Sequence, residues 1–352
     1  MTRGTLIKRG LVGAGALSGA ALLAACGSDS SGGSTAAGAA GGADAPAGGK
    51  KRTIIWAVAA IAPWNLNVDI GFIEACNALG WKYQKVGVPI AEYSPETVVS
   101  TIRRATQAKP DVLVTPGWVP GAYTALEEAQ SKGILCLLND ANNSPDETRR
   151  LGLGHVGADE KANGAAMGQA LIAAAKRAGK SSGTFLFGNQ FPGNANLEAH
   201  GAGLKQAAGS DYEVVVYKEP IDPAESLAGF KAQITKIGDD LVGICPTQEA
   251  PVVKALRESG KQPGDIIVGS FEDAVPTLNL VKEGWVTASV SSQRYSWGFV
   301  STMLANQALE RGVAAREYMT GAQVIDATNV DPSLEQAAQF DSLAKQYNVK
   351  LA

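Results

Sequence analysis

The sequence predicts an α/β protein of two lobes, each a parallel sheet flanked by helices, and three observations support that class. From Thr53 onward, short β-branched runs alternate with helical stretches. The connections are about three to six residues, as strand–helix–strand units with covered faces require. A weak internal repeat sets Gly71 of "GFIEACNALGWKY" against Gly201 of "GAGLKQAAGSDYE", and Asp111 of "DVLVTP" against Asp240 of "DLVGICP", each about 130 residues on.

The elements follow in order. "TIIWAVA" is the first strand, and a helix over Asn65 to Leu79 ends at Gly80, a residue that tolerates the left-handed turn after a helix. "KYQKVGV" is the next strand, and Ser94 with Pro95 opens a helix to Ala108, a capping hydroxyl ahead of a proline in the first turn. "DVLVT", a helix from Gly121 to Lys132 and "ILCLL" complete the first half. The second half opens with an Ala-rich helix from Lys161 to Ala178, then "GTFLFG", a helix from Asn194 to Ala208, and "EVVVY". Helices at Pro223–Ile237, Ala250–Ser259 and Pro276–Glu283 alternate with the strands "DLVGI", "DIIVG" and "VTASV". "SWGFVSTMLANQALERG" is an amphipathic helix, and "AQVIDATNV" is a last strand-like segment. The chain therefore builds two Rossmann-like lobes and passes between them more than once, which makes a multi-strand hinge. The expected division is 53–157 plus 291–321 for the N-terminal lobe, and 158–290 plus 322–352 for the C-terminal lobe.

Ahead of these lobes stand Arg3, Lys8 and Arg9, then an apolar stretch from Leu11 to Ala25. About fifteen residues is short for a bilayer span and fits a signal-peptide core. Leu23-Ala24-Ala25-Cys26 resembles the lipobox of bacterial lipoproteins, and the resemblance implies that 1–26 is a lipoprotein signal peptide with Cys26 diacylated. Two acyl chains satisfy the requirement for stable membrane anchoring. The competing reading is an ordinary secretory leader with an incidental cysteine. Residues 27–50 are rich in Gly, Ser and Ala, too poor in apolar bulk to offset ordering entropy. As a flexible coil this tether spans on the order of 25–30 Å. The expected location is extracytoplasmic, on the outer face of the cell membrane.

The formal charge is −3. The leader's three basic residues are its only charges, so the remainder carries about −6, and no basic patch points to nucleic acid. Beyond the leader no segment is apolar enough to cross a membrane. Cys76, Cys136 and Cys245 are isolated, odd in number and without CxxC spacing, so they read as buried thiols, with one disulfide pair as the alternative.

In open parallel sheets, ligands bind outside the carboxyl ends of the strands. The strand-exit loops are "AIAPWN", "TPGWVPG", "NDANN", "GNQFPGN", "CPTQE", "SFED" and "SSQRY". They hold Trp64, Trp118, Phe191, Phe271 and Tyr295, together with Asn65, Asn139, Asp140, Asn142, Asn194, Asn196, Gln248, Glu272 and Asp273. Aromatic faces cover the C–H faces of a small polyhydroxylated ligand, while amides and carboxylates satisfy its hydroxyls. Turn chemistry competes as an explanation for each Asn and Asp taken singly. The set carries the reading.

With these loops in place, the chain resembles the type I periplasmic solute-binding proteins, nearest the ribose- and galactose-binding cluster, over roughly residues 53–330. The likeness rests on "APWNLNVDIGFIEACNALGW", "LLNDA", "GHVGADEKANGAAMGQAL", "IIVGSFED" and "VTASVSSQRYSWGF". It implies that Trp64 and Asn65 fall where aromatics sandwich a sugar, and that Asp140 is the fourth-strand aspartate accepting from paired hydroxyls. Thr115 stands where an asparagine is usual. Ala141 and Glu198 stand where arginines are usual, Glu272 or Asp273 takes the place of a displaced acid, and Ser292-Gln293 straddles a glutamine. Two lost arginines and three or four retained acids disfavour an anionic ligand and suit an amine-bearing one. A neutral sugar or polyol is the first expectation. The resemblance also implies a monomer that closes on its ligand and docks on an ABC transporter permease, with no cofactor, no metal and no catalytic residue.

Other motifs fall away. "GKSSG" follows a helix and precedes a strand, the reverse of a nucleophile elbow, and Ala174 stands where a P-loop needs glycine. "GLGHVG" matches G-x-G-x-x-G but lacks a feeding strand and coincides with the expected crossover. His155 and His200 are the only histidines and lie in different segments, which argues against a zinc site, a His-based triad and a lipid-anchored hydrolase. A ligand-sensing subunit remains an alternative to a transport role.

Overall fold

The computed structural model describes residues 50–349. Cys26, the leader and residues 27–49 of the tether lie outside the described residues. Within them the chain forms two six-stranded sheets. The first contains β1 (Thr53–Ala57), β2 (Lys82–Val86), β3 (Val112–Gly117), β4 (Leu135–Asn142) and β5 (Gly154–Ala158), with β11 (Tyr318–Thr320) at one edge, in the order β11-β5-β4-β3-β1-β2. Every pairing in it is parallel. The second contains β6 (Gly183–Asn189), β7 (Tyr212–Lys218), β8 (Leu241–Cys245), β9 (Ile267–Ser270) and β10 (Ala288–Ser291), with β12 (Gln323–Ile325) antiparallel to β10.

Both faces of each sheet are covered. In β1 the adjacent residues Ile54 and Ile55 are both buried, each in a different apolar layer. That two-sided burial is why the strands read as continuous apolar runs rather than alternating ones. The covering helices are α1 (Leu66–Leu79), α2 (Pro95–Gln107), α3 (Ala122–Gln130), α4 (Pro145–Arg150), α5 (Glu160–Arg177), α6 (Ala195–Ala208), α7 (Pro223–Ile237), α8 (Glu249–Glu258), α9 (Val275–Lys282), α10 (Arg294–Arg311) and α11 (Val330–Gln346). Their starts follow local chemistry. Ser94 Oγ accepts from Thr97 N at 3.1 Å, and Thr97 Oγ1 accepts from Ser94 N at 2.9 Å, a reciprocal cap ahead of Pro95.

The two lobes are interlaced. Helix α5 follows β5 of the first sheet but packs on α6 of the second, and α10 follows β10 of the second but packs on α1 of the first. A third crossing joins β11 to β12. The helix pairs approach closely through glycine: a Cβ at Gly71 would collide with the Tyr295 carbonyl, and one at Gly203 with the Gly164 backbone. The repeat in the sequence pairs Gly71 with Gly201, but Gly201 faces the Phe187 ring, and Gly203 is the residue against α5.

Thr320 pins the crossings. Its hydroxyl lies 2.7 Å from Ser292 O and 3.2 Å from Gly157 O, and accepts from Trp297 Nε1 at 3.2 Å. One side chain thus touches all three connections. The strand-like segment "AQVIDATNV" contains β12, and helix α11, which follows it and was not read from the sequence, spans both lobes. Val330 and Ala337 enter the core of the second lobe, whereas Phe340, Leu343 and Ala344 pack on Leu66, Ile70 and Tyr295 of the first. Glu74 accepts from Tyr295 Oη at 2.8 Å and Tyr347 Oη at 3.3 Å on that side.

Two motifs resolve here. "GLGHVG" runs through a turn directly into β5, not from a strand into a helix, so it makes no dinucleotide cradle. Cys76, Cys136 and Cys245 are buried and unpaired, and burial pushes each thiol up to about 12. Among the described residues no helix is long and apolar enough to cross a membrane.

Candidate functional site

The carboxyl ends of β3, β4, β6, β9 and β10 converge between the lobes, and their exit residues meet across the gap. From the first lobe come Tyr93, Trp118 and Asp140; from the second come Phe191 and Asn196. The ring centroids of Tyr93 and Trp118 lie 5.8 Å apart, those of Trp118 and Phe191 5.8 Å, and those of Tyr93 and Phe191 5.4 Å. Trp118 Nε1 donates to Asp140 Oδ2 at 3.0 Å, and Asn196 Nδ2 donates to Asp140 Oδ1 at 2.7 Å. Beside them Asn143 makes a two-point clasp on the second lobe, donating to Gly193 O at 2.7 Å and accepting from Ala195 N at 3.0 Å. The cleft is closed on itself at this edge.

Asp140 sits at φ 64°, a left-handed conformation that Asp and Asn tolerate better than most residues. His155 Nε2 lies 2.7 Å from its backbone oxygen and helps hold the turn. Burial pushes the Asp140 carboxyl up to about 6, and the charge of Glu160 adds to the rise; the Trp118 bond and the Arg294 charge work against it.

Deeper in the cleft, Arg294 opens α10. Its guanidinium donates to Glu272 Oε2 at 2.5 Å and Oε1 at 3.0 Å, and to Phe271 O at 3.2 Å. Burial alone would lower its pKa, but the carboxylates of Glu272 and Asp273 hold it above the ordinary arginine value. Burial leaves Glu272 raised even so, because the Arg294 charge offsets only part of the desolvation. Asp273 accepts from Ser291 Oγ and from Asn67 Nδ2, the latter at 3.3 Å and from the other lobe.

At the floor, Glu160 heads α5. Burial would raise its carboxyl, but the bond and charge of His200 at 2.6 Å, with Asn163 at 2.7 Å, bring it below the usual range. His200 stacks on Phe271 with centroids 3.5 Å apart. Ser292 joins the same network, accepting from Asn163 Nδ2 at 3.0 Å.

The remaining sequence-predicted residues take varied places. Trp64 is 41% exposed on the turn after β1, and Asn65 closes that turn by accepting from Ala62 N at 2.9 Å. Thr115 is buried, its hydroxyl donating to Ala57 O at 2.8 Å inside the sheet. Asn194 caps α6 through Asn196 N and Leu197 N. Glu198 accepts from Asn189 Nδ2 and Gly193 N, both at 3.1 Å, which fixes the loop that carries Phe191. Gln248 donates to Ile221 O at 3.0 Å, and Gln293, in a left-handed turn, donates to Gly321 O at 3.3 Å. Sequence reasoning passed over Tyr93, Arg294, Glu160 and His200 as site residues. The signal for Arg294 was its place directly after Ser292-Gln293. Tyr93 lies in the loop after β2, which the sequence reading did not count among the strand-exit loops. Among the described residues no cluster of His, Cys, Asp and Glu is arranged to hold a metal ion.

This two-lobed fold has counterparts. Residues 53–313 match the family described as a periplasmic binding protein domain. The chain belongs to that family. It is a family of binding proteins, not of enzymes. An ABC transporter solute-binding protein from Agrobacterium vitis, bound with α-D-tagatopyranose, superposes at TM-score 0.71 with 17% identity, over 82% of this chain and 98% of that one. A carbohydrate transporter protein from Acidothermus cellulolyticus in complex with myo-inositol gives 0.69 at 17% identity, over 83% and 99%. A solute-binding protein from Agrobacterium radiobacter in complex with D-arabinose gives 0.70 at 20% identity, over 82% and 98%. No curated protein sequence matches the chain.

Proposed function

We propose that the protein is an extracytoplasmic solute-binding protein that captures a sugar or polyol between its lobes and delivers it to an ABC permease. The observation that carries this reading is the meeting of Trp118 and Asp140 from one lobe with Phe191 and Asn196 from the other. A solute that replaces those contacts touches both lobes only when they are closed, so binding shifts an open–closed equilibrium. Closure about a hinge is the known repertoire of periplasmic binding proteins. Sugars and a cyclitol in three structural relatives support the ligand class. Micromolar affinity corresponds to about −8 kcal/mol, within reach of one ring-stacking contact and several charge-assisted hydrogen bonds. The lipid at Cys26 and the tether of residues 27–50 keep the carrier near its transporter while leaving it free to turn.

Thermal-shift screening of the purified protein against sugars, polyols, amines and amino acids tests the reading. Stabilisation by one or more sugars or polyols is expected, and stabilisation by amino acids alone would overturn the ligand class.

A further inference from the structure

The cleft carries more negative than positive charge, and the balance is uneven in space. Beside Glu160 at its floor, which His200 meets at 2.6 Å, three carboxylates line it: Asp140, Glu272 and Asp273. The Arg294 guanidinium is committed to Glu272 by two bonds and to Phe271 O by a third. Asp273 is met by a hydroxyl and an amide, Ser291 and Asn67. Asp140 is met by an indole N–H and an amide, both neutral donors.

A second observation points the same way. Asp140 stands at the edge of the Tyr93–Trp118–Phe191 ring cluster, joined to it by the Trp118 N–H. A carboxylate beside aromatic faces suits an alkylammonium group, which gains ion pairing from the one and cation–π attraction from the others. A hydroxyl gains only a hydrogen bond there.

We propose that the cleft selects amine-bearing sugars or polyols over their neutral counterparts, with the ammonium lodged between Asp140 and the Trp118 and Phe191 rings. This rests on reading the cleft as a sugar or polyol site. Arg294 acts on Asp140 through its charge but is paired with Glu272, so the ligand's cation would be the direct ion-pair partner of Asp140, and Asn196 swings aside or shares the carboxylate. Burial and Glu160 push the Asp140 carboxyl up to about 6.

The test is calorimetric titration of the purified full-length protein with matched pairs: D-glucosamine and D-glucose, D-galactosamine and D-galactose, D-mannosamine and D-mannose, each amine also as its N-acetyl derivative. At least one amine should bind tenfold or more tightly than its neutral and N-acetylated partners. Asp140→Asn, which keeps the shape and the left-handed turn, should bring that ratio to within about threefold. Neutral sugars binding as tightly as the amines would overturn the selectivity and leave the sugar-binding reading standing. Absence of binding by every member at millimolar concentration would overturn both. A ratio unchanged in Asp140→Asn would overturn the role of Asp140.

Discussion

Asp140 of the first lobe accepts a hydrogen bond from Asn196 of the second at 2.7 Å, which ties the two lobes together across the cleft. Asn196→Ala removes that bond, which is worth about 1 kcal/mol, and shifts the open–closed balance about fivefold toward open. Small-angle scattering of the unliganded variant should give a larger radius of gyration than the parent protein. An unchanged radius would mean that the bond does not govern closure.

The same carboxylate makes stability depend on pH and, on the proposed function, binding as well. Its folded pKa, about 6, lies above the ordinary aspartate value, chiefly through burial. Its contribution to stability is therefore full below about pH 4 and lost as pH rises through about 6. The parent protein should lose about 2 kcal/mol of stability relative to Asp140→Asn between pH 4 and 7.5, read from urea unfolding at each pH. Ligand binding runs the other way, because donors on the solute favour the ionised form. Affinity should rise between pH 5 and 7, and Asp140→Asn should flatten that rise.

Trp118 anchors the ring cluster and Trp64 does not share its burial. Trp118→Ala removes a stacking face and a donor to Asp140, and should weaken solute binding tenfold or more. Trp64 stands 41% exposed, free to cover a bound solute, and Trp64→Ala should weaken binding about threefold or more. Fluorescence titration of both variants gives the comparison, and equal affinity to the parent in both would place the solute elsewhere.

Thr320 offers a test of the hinge. Thr320→Val deletes the hydroxyl that serves Trp297 Nε1, Ser292 O and Gly157 O, leaving buried polar groups unpaired. A loss of about 1–3 kcal/mol is expected in urea unfolding. A loss below about 0.5 kcal/mol would show that the crossings hold together without it.

Anchoring is tested separately. Cys26→Ser should release the protein from the membrane fraction into the aqueous phase of a detergent partition, and mass spectrometry of the parent should find the N-terminal residue of the processed chain acylated. Retention of Cys26→Ser in the membrane fraction would contradict the lipid anchor.

The sequence made the repeating strand–helix order legible because both faces of each sheet are buried, which leaves β-branched runs such as "TIIWA" unbroken. Caps such as Ser94–Pro95 and Asn194 marked helix starts to within a residue. Four elements escaped, among them β11, a strand of three residues. Strand β5 reads "GHVGA", too rich in glycine to register as a strand, and α4 is only six residues long. Helix α11 divides its apolar residues between two lobes, so no single face of it shows a continuous stripe. The site was legible as a set of strand-exit loops, and Trp118, Asp140 and Phe191 were among the residues named. Which members meet depends on how the two lobes face each other. Asn194, Glu198 and Gln248 turn to loop and cap bonding, while Tyr93 and Arg294 enter from neighbouring positions.

The central claim is that a solute sits between the lobes and is held from both sides. A crystal structure with the tightest ligand from the sugar and polyol screen tests it most directly. The account predicts that ligand within hydrogen-bonding distance of Asp140 and against the Trp118 and Phe191 rings. Ligand density on an outer face, with the Asp140–Asn196 bond intact, would contradict it.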